Sequence, residues 1–342
     1  MRKSVYAVLA MLVGISMLIS ACGSTATQES TGVIELTATS EPIVIVKSTP
    51  APGEWGSADK PIILAFRPSS SSSEITASGQ ELLNELVNET DLVFNGVIPT
   101  SYADLVEAMG SGNAQIGWMY TPAYINAHEK GYADAALIIQ HNGSEYMGSQ
   151  LFIANTSSGF TQVVSTPDTE ADLSALLQFK GKKACFIDPL NFLGYVIPLI
   201  LLKNAGLTDA DIPEPVFTGG NSQTVQVLYD GGICDYGALY FDARSSIAKD
   251  HPDVNEKVVV IFQTNSIYPN DNISYAPDLP QDLRDVITAA MLKIAGTEAG
   301  NKTLNDLFGS SGGEFTQVDD TAYDQLRSYL TASGIELSQL IK

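Results

Sequence analysis

Ile62-Ile63-Leu64-Ala65-Phe66, then a loop over 67–73, then a stretch over 74–89 with Ile75, Leu82, Leu83 and Leu86 on one helical face, make one β–α step. The run is apolar without alternation, as expected for a strand covered on both sides. Outward from it the step repeats. Residues 92–98 read as a second strand and 102–110 as a short helix closed by Gly110. Ile116-Gly117-Trp118-Met119 is a third strand, 122–130 a helix and 135–140 a fourth strand. Regular alternation of this kind predicts an α/β fold, a mainly parallel sheet flanked by helices.

The same grammar restarts after a strand at 150–154. A helix at 171–178 leads to a strand at 183–187, the loop Asp188-Pro189-Leu190-Asn191 and a long apolar helix over 192–205. A strand at 215–218, a helix at 222–229 and strands at 233–240 and 258–263 follow. Helical segments at 281–295, 300–307 and 321–333 end the chain. Two such units in series, with a late return, predict two lobes joined by crossing strands. The expected division is 58–154 plus 266–342 for lobe one and 155–265 for lobe two, with the crossings near Ala154 and at 263–267.

The beginning of the chain has a different character. Arg2 and Lys3 precede an apolar run over 5–19 that ends Ile19-Ser20-Ala21-Cys22. A basic start, a short apolar stretch and small residues before a cut describe a secretory leader, and the run is shorter than the ~20 residues of a spanning helix. The small residues directly before Cys22 resemble a bacterial lipobox. Residues 1–21 are therefore expected to be a removed signal, with Cys22 the acylated first residue, held on the outer face of the cytoplasmic membrane. Residues 22–57, rich in Ser, Thr, Pro and Glu, read as a flexible tether.

Charge and composition narrow the function classes. With 18 basic and 39 acidic residues, net −21, the chain lacks the basic face that nucleic-acid binding requires. The acidity reads as a solvated surface. The histidines, His128, His141 and His251, have no ligand-like spacing to each other or to cysteines, so no metal and no cofactor is expected. Cys185 and Cys234 both lie in apolar, strand-like runs, and an exported chain permits a disulfide. The residues leave open whether the two are joined or are buried free thiols. A phosphate loop and a nucleophile elbow are both missing from the sequence, so an enzyme is not expected.

A set of short landmarks, in order, carries a resemblance. They include Pro68-Ser69-Ser70, Pro99-Thr100-Ser101-Tyr102-Ala103, Ile116-Gly117-Trp118, Asn142-Gly143-Ser144 with Tyr146, and Lys180-Gly181-Lys182-Lys183. Asp188-Pro189, Gly194-Tyr195, Gly219-Gly220, Phe241-Asp242-Ala243-Arg244 and Pro269-Asn270-Asp271 complete them. From about Pro61 to Leu340 the chain resembles the phosphate/phosphite/phosphonate-binding proteins of ABC importers, which have the two-lobed periplasmic-binding-protein fold. The resemblance implies a monomeric, non-enzymatic protein. Such a protein closes on a small-molecule ligand in the cleft between its lobes and partners an ABC permease in the membrane, to which the lipid would anchor it. A sensor subunit that docks on a signalling membrane protein would use the same cleft.

By position within that family, Tyr102 and Tyr146 face the ligand, and Asp242 and Asp271 receive the amino group of aminophosphonates. Ser69 and Ser70 follow the first strand, where such sheets present ligand loops. Two departures stand out. Where the family carries a Ser-Thr-Ser-Gly run at a helix start, this chain has Asn191-Phe192-Leu193-Gly194. The backbone N–H groups of a helix start are expected to remain available to an anion, but three hydroxyls are gone. Where the family has Gly-Gly-His, this chain has Gly219-Gly220-Asn221, and asparagine carries no charge. The ligand is therefore either a phosphonate-type oxyanion, as the family implies, or a less charged, partly apolar molecule, as these residues suggest.

Overall fold

The computed structural model describes residues 49–68, 72–141, 143–147, 150–164, 172–189, 191–264, 268–308, 313–339 and 341. The expected leader, Cys22 and most of the expected tether lie outside the described residues, as do Ser69 and Ser70.

The chain opens with β1 (Ile62–Ala65), α1 (Ser72–Thr90), β2 (Phe94–Val97), α2 (Tyr102–Gly110), β3 (Ile116–Met119), α3 (Thr121–Glu129) and β4 (Asp134–Gln140). β1 pairs in parallel with β2 and β3. Leu82, Leu83 and Leu86 of α1 are buried in one core with Leu64, Trp118 and Ile139 of the sheet, each such burial contributing about 2 kcal/mol. At the end of α1, Thr90 Oγ1 donates to the Leu86 carbonyl and accepts from the Leu92 N–H, and Asp91 turns the chain at φ 60°. Ser101 caps α2 by accepting from the Asp104 N–H at 3.0 Å.

After β5 (Tyr146–Met147) the chain builds a second sheet from β6 (Leu151–Asn155), β7 (Val163–Val164), β8 (Ala184–Phe186), α4 (Ile197–Asn204), β9 (Val216–Phe217), α5 (Asn221–Asp230), β10 (Tyr236–Leu239), α6 (Val254–Lys257) and β11 (Val258–Gln263). It returns through β12 (Tyr268–Pro269) to β13 (Asn272–Tyr275), α7 (Gln281–Ala295), α8 (Glu298–Phe308), β14 (Glu314–Gln317) and α9 (Asp324–Ser333). The first sheet has the order β14-β4-β13-β3-β1-β2 and the second β7-β11-β6-β10-β8-β9.

Both sheets are mixed. β13 runs antiparallel to β3 and β4, and β6 antiparallel to β10 and β11. The reason is connectivity: each of these strands enters its sheet from the other lobe and so runs against the strands made by β–α steps. The two crossing segments pair with each other, Tyr146 against Pro269 and Met147 against Tyr268. Asn270 fastens this ladder, its Nδ2 donating to the carbonyls of Ile139 at 2.9 Å and Ser144 at 2.8 Å.

Several boundaries differ from the sequence reading. β6 belongs to the second sheet, so the first crossing precedes Leu151 rather than falling near Ala154. The tether ends before residue 57: the Val93 N–H donates to the Gly56 carbonyl, the Gly56 N–H to Lys60, and Lys60 Nζ lies 3.9 Å from the centre of the Trp55 ring. The long apolar helix starts as a π-helical turn at Phe192–Val196 before α4, and residues 173–179 are 3-10 helix. Residues 266–342 do not all stay on lobe one. Leu326 and Leu330 of α9 share a core with Ile197, Ile200 and Leu201 of α4, and Asn204 Nδ2 donates to the Tyr329 carbonyl. Cys234 lies just before β10, not within a strand, and is joined to Cys185 of β8 with Cα atoms 5.7 Å apart.

Candidate functional site

In open α/β sheets the loops at the carboxyl ends of parallel strands form the ligand crevice. On lobe one those ends carry Arg67, two residues beyond β1; Tyr102, the first residue of α2; and Tyr120, immediately after β3. Asp271, immediately before the antiparallel β13, joins them. The Tyr102 and Tyr120 rings lie 4.1 Å apart between centroids, with planes at 42°. Burial raises both hydroxyls well above the usual tyrosine range, Asp271 adding to the effect on each and Arg67 opposing it at Tyr102, so both remain O–H donors at neutral pH.

Arg67 is the cation of this wall. Its carbon Cζ lies 5.6 Å from the centre of the Trp118 ring, one η nitrogen donates to the Leu307 carbonyl at 3.2 Å, and its Nε is buried without a hydrogen-bond partner. Burial pushes the Asp271 carboxyl up to about 6, against the lowering effects of the Arg67 charge and of the neighbouring Trp118 indole. The indole N–H is buried and closes no regular hydrogen bond. The main chain of Asp271 is fixed by the Ile139 N–H, which donates to its carbonyl at 3.0 Å.

The lobe-two wall follows β8 and β9. Asn191 precedes the π-helical turn, and its Oδ1 accepts from the Gly194 N–H at 2.7 Å. Its carbonyl accepts from the N–H groups of Tyr195 at 3.0 Å and Val196 at 3.3 Å. The expected set of anion-binding N–H groups is therefore reduced, because Asn191 caps its own turn. Gly194 is needed here: a Cβ on it would sit 2.3 Å from Ile187 Cδ1. The adjoining loop is tied to β8 by the Gly219 N–H, which donates to the Ile187 carbonyl at 2.8 Å. Asn221 is the first residue of α5, and its Oδ1 is buried with no partner.

The two walls meet. Phe192 approaches Tyr120 edge-on, ring centroids 6.3 Å apart and planes at 88°. Tyr120 and Phe192 thus touch between the lobes. Tyr102 packs on Tyr120, and Asp271 is close enough to act on both tyrosines. Asn191 and Leu193 flank Phe192 in the chain, and Asn221 stands at the start of α5.

Tyr146 lies on the crossing ladder, near enough to Tyr323 to affect its hydroxyl. Asp242 has a different occupation. Arg244 Nε and one η nitrogen grip its two oxygens at 2.8 and 2.6 Å, lowering its pKa, so its charge is balanced within lobe two. Ser69 and Ser70 lie outside the described residues.

Arg67, Tyr120 and Asn270 are the residues the sequence reading passes over. Arg67 had a usable signal, since it is a cation in the very loop whose serines were chosen. Among the described residues no group of His, Cys, Asp and Glu could hold a metal ion. A cavity of about 590 Å³ lined by Asp134, Tyr275, Arg284 and Thr288 lies away from these residues. Its Arg284 is committed to Asp134 and to the Leu279 and Ala276 carbonyls, and nothing there resembles a ligand seat.

Residues 64–323 match the family model described as the periplasmic substrate-binding protein of phosphonate ABC transporters. The phosphate-import protein PhnD of Mycolicibacterium smegmatis is 28% identical over 188 residues, 52% of this chain and 54% of that protein. The chain thus spans about half the length of that curated relative. Among solved structures, PhnD1 of Prochlorococcus marinus in complex with methylphosphonate superposes with a TM-score of 0.53 at 15% identity, covering 79% of this chain and 97% of its own. An ATP-bound protein of Xanthomonas citri gives 0.59 at 13% identity, covering 82% and 99%. These likenesses establish the two-lobed fold.

Proposed function

Because the chain belongs to the family of periplasmic phosphonate substrate-binding proteins of ABC transporters, we propose that it binds a small phosphorus oxyanion outside the cytoplasm and hands it to a membrane permease. The observation that supports this most is the facing of two walls. Tyr120, which packs on Tyr102, meets Phe192 of the lobe-two turn edge-on, and two paired crossing strands join the lobes. On this reading Arg67 and Asp271 complete the lobe-one wall, and Asn191 and Asn221 the lobe-two wall. A ligand that touches both walls favours the closed arrangement by its differential affinity for it. Binding and release are the whole of the cycle, and no covalent step is required of these residues.

Residues 1–21 are read as the export leader, and the acyl chain on Cys22 as the anchor that keeps the protein near its permease. The support is the basic start, the short apolar run and the small-residue cut site before Cys22.

Small-angle scattering of the purified protein with and without methylphosphonate tests the proposal. A smaller radius of gyration on saturation is expected. An unchanged radius, together with an unchanged unfolding temperature, for methylphosphonate, phosphite and phosphate alike would contradict it. For the anchor, metabolic labelling with a fatty-acid probe is expected to mark the wild type and not Cys22→Ser.

A further inference from the structure

We propose that Arg67 is the anion anchor of this cleft, so that an organophosphonate lies with its oxyanion on lobe one and its apolar substituent against Phe192 and Leu193 of lobe two. This rests on the reading of the protein as a phosphorus-oxyanion binder and adds an orientation and a substrate class to it.

Three observations carry it. The lobe-two turn offers an anion little: residues 191–194 hold no hydroxyl, Asn191 Oδ1 takes the Gly194 N–H at 2.7 Å, and Phe192 and Leu193 fill the rest with apolar surface. A dianion seated there would lose much of its hydration with fewer replacement donors, since the Gly194 N–H is already taken and no side-chain hydroxyl is present. Lobe one offers what lobe two lacks. Arg67 brings a permanent charge to the carboxyl ends of the strands, and its buried Nε has no partner. A buried donor left unmet is destabilising until a ligand oxygen meets it. A guanidinium presents a fork of donors that matches two oxygens of a phosphonate, and the unmet Nε is one tine of that fork. Finally, Tyr120 connects the two ends of the proposed ligand. Its ring packs on Tyr102 at 4.1 Å and meets Phe192 edge-on at 6.3 Å, so an aromatic path runs from the lobe-one wall to the apolar turn.

Asp271 sets a limit on the ligand. Its carboxyl lies close enough to Arg67 to feel the guanidinium charge, so an incoming oxyanion competes with it. A compact inorganic dianion gains only the contested charge. An organophosphonate adds burial of its apolar substituent and is favoured for that reason.

The test is calorimetric titration of the processed full-length protein with phenylphosphonate, methylphosphonate and inorganic phosphate, using wild type, Arg67→Gln, Arg67→Lys and Phe192→Ser. Wild type is expected to bind phenylphosphonate at least tenfold more tightly than phosphate. Arg67→Gln should weaken both phosphonates a hundredfold or more, with Arg67→Lys recovering part of the loss. Phe192→Ser should cut the phenyl-over-methyl preference to threefold or less, the comparison being the ratio of the two phosphonates within that variant. Arg67 also packs by Trp118, so Arg67→Gln is first checked by thermal unfolding. If it fails to fold, the wild-type preference and the Phe192→Ser arm decide the matter alone. Phosphonate binding within threefold of wild type in folded Arg67→Gln, or phosphate binding as tightly as phenylphosphonate, overturns the orientation while leaving the functional reading intact. Failure of every phosphorus oxyanion to bind wild type overturns both.

Discussion

Tyr120 of lobe one and Phe192 of lobe two meet across the cleft as an edge-to-face pair, centroids 6.3 Å apart and planes at 88°. The pair is an apolar contact between the lobes. Such pairs contribute about 0.5–1.5 kcal/mol beyond their buried area.

Removing that contact should shift the unliganded protein toward open forms. Phe192→Ala is expected to increase the radius of gyration of the ligand-free protein in scattering, while its unfolding temperature falls only modestly because Phe192 is half-buried. An unchanged radius would mean that the pair does not bias closure.

The Cys185–Cys234 bond closes a loop with a sequence separation of 49. The chain-entropy relation gives about 4 kcal/mol for a loop of this size. The double variant Cys185→Ala, Cys234→Ala should lower the denaturant midpoint accordingly, and reducing agent should lower that of wild type but not of the variant. Equal midpoints for wild type and variant would show that the bond contributes nothing.

Asp271 makes a pH-dependent contribution whose sign follows from its raised pKa. Burial lifts it from 3.8 to about 6, so between those values the folded state holds a proton that the unfolded state has released. Stability from this group is present at low pH and is lost as pH rises through about 6. Carboxylates with lowered values, Asp211 and Asp242 among them, act in the opposite sense. The clean comparison is thus wild type minus Asp271→Asn. Their urea midpoints should diverge in favour of the variant as pH is raised from 4 to 7, and parallel curves would contradict the assignment.

Gly194 admits no side chain. A Cβ would overlap Ile187, with its closest approach at 2.3 Å. Gly194→Ala should destabilise the protein by about 1–3 kcal/mol and weaken ligand binding by displacing the turn. Both are read by thermal unfolding with and without methylphosphonate.

Much of this architecture is legible in the sequence because it is local. Ile62–Ala65, Ile116–Met119 and Asp134–Gln140 sit close to where their apolar runs place them, and α1 buries its leucine face. What escapes is non-local. The amphipathic face of α9 says that Leu326 and Leu330 are buried, but not that α4, far away in the chain, covers them. Asp271 and Arg67 are far apart in the chain, and only the return of β13 beside β3 brings them together. Asp242 is a different lesson. Its partner Arg244 stands two residues away in plain view, and a bidentate pair at that spacing competes with any role in ligand binding. Asn191 likewise caps the turn it was expected to leave open.

The most direct measurement is thermal unfolding of the purified protein against a panel of phosphate, phosphite, methylphosphonate, 2-aminoethylphosphonate, phenylphosphonate, amino acids and nucleosides. Ligand at a hundred times its dissociation constant adds about 2.7 kcal/mol to the folded state. The expected result is a rise of several degrees with phosphonates and a smaller one, or none, with phosphate. A flat response to every phosphorus oxyanion, with a clear rise for a compound of another class, would contradict the proposed function.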